Sequence, residues 1–280
     1  MSGEIQSDRV AVTVDGADVD IHYRTGGEGP PLVFLHGIGL DAATVSWRHA
    51  LPALAEDRTV YAPDLPGHGE SDKPDRAYTT DYYLEAVDAF LDALDVERPA
   101  MAGLSMGGAL ALGHALDGGP VERLVLVGSY GLGRDAYWRQ AASGVLQTPF
   151  FGTMLWQGLS ASKPAIRTSL RSMGATEPSQ QLVEDVDSAV DARTVRAMRR
   201  WQRHEFQHSG FRTDYSDRLD EIGVPTLMVH GRADPLLPTR WSRQAGEALS
   251  DAQVEIFENC GHCPPRERPE RFNRAVRSFC

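Results

Sequence analysis

Apolar and polar positions alternate over Arg9–Val14 and again over Val19–Arg24, with Asp15-Gly16 between them. A period of two around an Asp-Gly pair predicts an antiparallel hairpin. Pro31–Leu35 and Thr59–Ala62 are short, continuously apolar runs, as strands buried on both faces show. Thr79 or Thr80 is placed to cap a helix reaching about Leu94, with Leu84, Val87, Phe90, Leu91 and Leu94 on one face. Pro99–Leu104 predicts another buried strand, Met106–Leu116 a Gly/Ala/Leu-rich helix, and Val121–Gly128 a strand. Alternating strands and helices imply a mostly parallel sheet covered on both faces.

The pattern changes after residue 130. From Gly131 to Asp214 no strand-like run is visible. This stretch carries Tyr137, Trp138, Phe150, Phe151, Met154, Trp156 and Trp201 and is interrupted at Pro149, Pro164 and Pro178. Its amphipathic pattern predicts a helical cap inserted over residues 131–214, with the α/β core formed by residues 1–130 and 215–280. The alternation resumes with a strand at Thr226–His230, a helix near Thr239–Leu249, a strand at Gln253–Phe257 and a last helix over Pro269–Phe279.

Composition narrows the function class. The 280 residues carry 28 basic and 39 acidic side chains, a formal net charge of -11, so a basic footprint for nucleic acid is missing. No stretch approaches the ~18 consecutive apolar residues that a membrane-spanning helix needs. The first residues lack the basic and apolar regions of a signal peptide. A cytoplasmic protein without membrane or nucleic-acid partners is the expectation. The cysteines Cys260, Cys263 and Cys280 do not make a disulfide framework. Cys260 and Cys263 have metal-ligand spacing, but the second pair of a structural zinc site is lacking.

The sharpest chemical signal is Gly103-Leu104-Ser105-Met106-Gly107, between a predicted strand and a predicted helix. A serine on such a turn projects its hydroxyl off the sheet, and glycine is needed two residues away on each side. The helix that starts there directs free N–H groups at the serine. Serine needs a base. Of nine histidines, His262 follows the last apolar strand and so falls at the sheet edge that carries Ser105. His204 and His208 lie in the charged helical stretch and are expected to be solvated; His36 reads as a structural hydrogen-bonding residue. Asp234, just past the preceding strand, is the candidate partner for His262, because Ser, Asp, His is the chain order of this arrangement. The glycine-rich turn His36-Gly37-Ile38-Gly39 makes the backbone N–H groups of Ile38 and Met106 the candidates for an oxyanion hole.

With these residues in place, the chain resembles the α/β-hydrolase family along nearly its whole length: H-G-I-G at 36–39, D-L-P-G-H-G-E-S-D at 64–72, G-L-S-M-G-G at 103–108, G-R-A-D at 231–234 and G-H at 261–262. The resemblance implies a mostly parallel eight-stranded sheet with helices on both faces, a Ser105–His262–Asp234 triad, no catalytic role for His68, and no metal or organic cofactor. Serine at the nucleophile position disfavours the haloalkane dehalogenase and epoxide hydrolase branches. Gly131-Leu132-Gly133, Met106-Gly107-Gly108 and Phe272-Asn273-Arg274 are similar to the meta-cleavage-product hydrolases, which cut carbon–carbon bonds. The chain departs from them in Cys263 where tryptophan is usual, in Leu104 where asparagine is frequent, and in lacking G-P-G in the oxyanion loop. Arg193, Arg196 or Arg199 could still hold a substrate carboxylate. The expectation is therefore a carboxylic-ester hydrolase acting on a small-molecule ester or related acyl substrate. Carbon–carbon hydrolysis, a ligand receptor on a hydrolase scaffold and a perhydrolase are the alternatives.

Overall fold

A computed structural model of the protein describes residues 4–136, 149–174, 176–207 and 209–280. The predicted hairpin is β1 (Gln6–Val14) and β2 (Ala17–Gly26), antiparallel with Val14 opposite Ala17. Asp15 and Gly16 turn the chain with φ of 49° and 71°, the left-handed pair that a two-residue turn of the matching twist requires. β3 (Pro31–Leu35), β4 (Thr59–Pro63), β5 (Ala100–Leu104), β6 (Arg123–Val127), β9 (Thr226–Gly231) and β10 (Ala252–Phe257) complete an eight-stranded sheet. Its order is β1-β2-β4-β3-β5-β6-β9-β10. β1, β2 and β4 pair antiparallel; from β4 through β10 every pairing is parallel.

Alternation along the central strands divides the core. Val33, Leu35, Met101, Leu124, Leu126 and Met228 pack with α3 (Thr80–Ala93), α4 (Met106–Leu116) and Trp241 of α9 (Thr239–Ala248). Leu32, Phe34, Ala102, Val125, Val127 and Val229 face the other way, onto Trp47, Leu51 of α2 (Ala50–Leu54), and Phe272 and Val276 of α11 (Pro269–Phe279). Covering both faces explains why these strands read as unbroken apolar runs. Thr79 caps α3 by accepting from Tyr82 N–H at 3.0 Å, which frees the Thr80 hydroxyl for a different partner.

Between β6 and β9 lie α5 (Pro149–Ser160), α6 (Lys163–Met173), α7 (Gln180–Ala189) and α8 (Ala192–Glu205). The prolines read as breaks stand at starts: Pro149 opens α5, Pro164 is in the first turn of α6, and Pro178 precedes Ser179, which caps α7. Ile166, Leu170, Val183 and Val186 of these helices pack on Leu40, Ala42 and Val45 beyond β3. One expectation fails. The stretch does hold strands, β7 (Phe206–Gln207) and β8 (Gly210–Phe211), an antiparallel ribbon of two residues a side and too short to show a period. Also unpredicted are α1 (Ala43–Ser46), α2, α10 (Pro264–Glu267) and a 3-10 turn over Ser216–Glu221. Tyr137, Trp138 and His208 lie outside the described residues.

Candidate active site

Because β3, β5, β6, β9 and β10 run parallel, the residues that follow them share one edge of the sheet. Ser105 directly follows β5, with φ 54° and ψ −114°, a backbone conformation of high energy for any residue with a Cβ. Surrounding contacts impose it. Ser105 N–H donates to Val127 C=O at 2.9 Å, and Ser105 C=O accepts from Gly108 and Tyr130 N–H groups at 3.0 Å each. A Cβ on Gly103 would lie 2.2 Å from the Gly107 carbonyl oxygen, and one on Gly107 would lie 2.1 Å from that of Leu35. Glycine at both places lets α4 start hard against the ends of β5 and β3.

Met106 is the first residue of α4, so its N–H has no acceptor within the helix. Ile38 lies in the loop after β3 and lines the same cavity as Ser105. Asp41 fixes this loop. Its buried carboxylate accepts from Gly37 N–H at 3.1 Å, Ala42 N–H at 2.9 Å and the Ser46 hydroxyl at 2.7 Å.

Asp234 and His262 meet. His262 Nδ1 lies 2.7 Å from Asp234 Oδ2, and the carboxylate is wholly buried. Asp234 Oδ1 accepts from Leu236 and Leu237 N–H groups at 2.7 and 3.0 Å. Burial alone would raise the Asp234 pKa; the charge of His262 and hydrogen bonds from His230 and His262 outweigh it and hold the carboxyl well below its usual range. Ser105 and His262 both line a cavity of about 530 Å³, walled by Ile38, Leu40, Trp156, Trp201, Phe206 and Phe211, with Gln202 and Arg266 among its polar groups. That volume and apolar lining suit a small organic molecule.

One wall rests on a buried carboxylate. Glu205, at the end of α8, accepts from the Thr80 hydroxyl at 2.9 Å, Tyr130 hydroxyl at 3.0 Å, Thr213 N–H at 3.0 Å and His204 Nδ1 at 2.9 Å. His204 is thus paired and only 26% exposed, where a solvated residue was expected. Burial, then the Glu205 charge, push the Tyr130 phenol far above its ordinary value, which keeps it a donor.

The remaining candidates fall into place. His36 accepts from Leu65 N–H at 2.9 Å and its Nδ1 meets Gly37 C=O at 2.7 Å, the structural role expected of it. His68 is fully buried, and burial followed by the His36 charge lowers its pKa to about 3. Arg193 pairs with Asp191 and Arg196 lies 3.9 Å from Asp75, while Arg199 bonds Gln202 at 2.9 Å. None of these three arginines lines the cavity. All three cysteines are free, and among the described residues no group of three His, Cys, Asp or Glu is arranged to hold a metal. Sequence reasoning passed over His230, whose Nε2 lies 3.0 Å from Asp234 Oδ2, and Asp41. The spacing His230-x-x-x-Asp234 across a strand end was a usable signal for the first.

The model of the Alpha/beta hydrolase family matches residues 32–275, which span the Ser105 turn, Asp234 and His262. The chain belongs to the alpha/beta hydrolase family. This hydrolase is 30% identical over 300 residues to the 2-hydroxymuconate semialdehyde hydrolase of a Pseudomonas species, covering 100% of this chain and 96% of that one. Among solved structures it is similar to a meta-cleavage product hydrolase from Pseudomonas fluorescens, at 26% identity, TM-score 0.79 and 96% coverage of each chain. It is also similar to an esterase from a Rhodococcus species, at 26% identity, TM-score 0.75 and coverage of 100% and 98%.

Proposed function

We propose that the chain is a serine hydrolase that cleaves carboxylic esters of small or medium acyl chains. The observation that carries this reading is the 2.7 Å Asp234–His262 pair in the wall of the cavity that Ser105, strained at the start of α4, also lines. His262 takes the Ser105 proton as the serine oxygen attacks the acyl carbonyl. Asp234 holds the imidazole in the Nδ1–H tautomer and stabilises the imidazolium. The N–H groups of Ile38 and Met106 hold the oxyanion, each contributing ~10²–10³ in rate. The alcohol leaves with the proton from His262. Water, deprotonated by the same histidine, then releases the acid from the acyl-enzyme. Residues 131–214 act as a cap over a core of 1–130 and 215–280, and the aromatic residues of α8 and the β7–β8 ribbon shape the acyl site.

Hydrolysis of a carbon–carbon bond is the second reading, favoured by the relative named a 2-hydroxymuconate semialdehyde hydrolase. The largely apolar wall, and Arg193, Arg196 and Arg199 held outside the cavity by Asp191, Asp75 and Gln202, support the ester, whereas Arg266, which does line the cavity beside Cys263, is the cation that a carboxylate substrate would meet. A chromogenic ester panel from acetate to decanoate, run on wild type and Ser105→Ala, separates the readings. Multiple turnover on short or medium chains, lost in the variant, is expected. Equal rates in both proteins would sink the Ser105 assignment. No ester turnover by folded wild type, with cleavage of a dienoic diketone, would favour the second reading.

A further inference from the structure

His230 has no part in the mechanism above, yet its side chain is wholly buried at the end of β9. Its Nε2 lies 3.0 Å from Asp234 Oδ2 and 3.1 Å from Leu237 C=O; its Nδ1 lies 2.7 Å from the Ser242 hydroxyl on α9. Both neighbours of Nε2 are acceptors, so Nε2 carries the proton and Nδ1 accepts from Ser242. Asp234 and Leu237 thus fix the tautomer, and Ser242 supports it by donating to Nδ1. The Oδ2 atom that takes this hydrogen bond also takes the one from His262 Nδ1 at 2.7 Å. Titratable groups beside the carboxylate include His230, His262 and Cys260, the last kept a neutral thiol chiefly by burial; flanking His262, Glu267 accepts from Gly261 and Cys263 N–H groups at 3.0 and 3.2 Å, and Arg266 lines the same cavity.

We infer that His230 is a positioning residue for the Ser105–His262 reaction: with two imidazoles on one Asp234 oxygen, His230 sets how much carboxylate charge remains to hold the His262 imidazolium. The inference rests on the serine-hydrolase reading. Withdrawing charge from Asp234 makes His262 a weaker base that returns its proton to the leaving group more readily. Removing the His230 donor reverses this.

The test compares wild type with His230→Leu, His230→Gln and Ser242→Ala. The pH profile of kcat/KM for p-nitrophenyl acetate is the kinetic readout. A fluorophosphonate label reports Ser105, and NMR with nitrogen-labelled histidine follows His262 without turnover. In His230→Leu the acid limb and the His262 titration should both rise by about half a pH unit. His230→Gln, which can still direct an N–H at Oδ2, should leave them in place. Ser242→Ala, which removes the donor to Nδ1 and so leaves Nε2–H a weaker donor to Oδ2, should shift them in the same direction by less, and it decides the matter if the leucine variant does not fold. Labelled, folded variants with an unmoved His262 titration would overturn the role of His230 alone. Wild type that neither takes the label nor turns over ester would overturn the serine-hydrolase reading and this role with it.

Discussion

Replacing Glu205 with leucine keeps roughly the size of the side chain and removes an acceptor that serves four donors at 2.9–3.0 Å. Two of the four can adapt: the Thr80 hydroxyl can rotate, and His204 is 26% exposed and can turn to water. The Tyr130 hydroxyl and the Thr213 N–H cannot, because both residues are buried. Each stranded donor costs ~1–3 kcal/mol, and relief from burying a charge offsets part of the sum. We expect a loss of about 2–5 kcal/mol. Glu205→Gln should cost only ~1–2 kcal/mol, since its oxygen can serve Tyr130 and Thr213 while its amide donates to the Thr80 hydroxyl and His204. Urea unfolding followed by tryptophan fluorescence is suitable, with Trp201 only 5.4 Å from the Tyr130 ring. The decisive measurement is a double-mutant cycle. Tyr130→Phe removes one of the stranded donors, so combined with Glu205→Leu it should destabilise less than the sum of the single changes by ~1–3 kcal/mol. Strict additivity, or a Glu205→Leu protein as stable as wild type, would refute this account of how α8 is tied to α3 and the cavity wall.

Other perturbations have equally definite outcomes. Gly107→Ala forces a methyl group to 2.1 Å from the Leu35 carbonyl oxygen and should cost ~1–3 kcal/mol in denaturant titration, with activity falling further as the Ile38 loop shifts. Asp41→Ala leaves Gly37 N–H without its acceptor and should lower kcat about tenfold with little change in KM. For Asp64, burial acts to raise the pKa, but the His22 hydrogen bond, the His36 charge and the Glu70 and Ala43 N–H groups bring it from 3.8 to about 2. Its lowered value means that the stability it gives is fully present above about pH 4 and is lost as pH falls toward 2. Asp64→Asn should therefore lower stability at neutral pH by ~2 kcal/mol and weaken its pH dependence in that window, measured by thermal unfolding at stepped pH.

Sequence pattern carried much of this structure because most of its elements satisfy a local rule and a global one together. Pro31–Leu35 and Ala100–Leu104 are apolar throughout because both faces are covered, and the glycines flanking Ser105 are demanded by backbone contacts that any side chain would violate. Asp234 and His262 could be paired from their positions after parallel strands, because those strands end at one edge. What escaped depends on tertiary partners alone. Phe206–Gln207 pairs with Gly210–Phe211 over too few residues for periodicity, and His204 is drawn from solvent by a carboxylate whose other donors come from Thr80, Tyr130 and Thr213. His230 stands four residues before Asp234, but only the turn between them brings its ring back onto the carboxylate.

The parallel register of β6 with β9 sets Val127 beside Val229, although α5 to α8, whose Trp156, Trp201 and Gln202 line the cavity, lie between them in the chain. Closing a loop costs an entropy that grows only with the logarithm of its length, about 0.6 kcal/mol for each doubling. This connection can therefore lengthen, shorten or be rewritten between related sequences with little thermodynamic effect on the sheet, which leaves the cavity lining that it supplies free to vary. Kinetics are less forgiving, since a contact between residues so distant in sequence forms late. A chain emerging from the ribosome exposes Ser105 long before Asp234 and His262 have been made. If Ser105 acts with His262 as proposed, a chain elongated past the first and short of the second would carry the serine without its base.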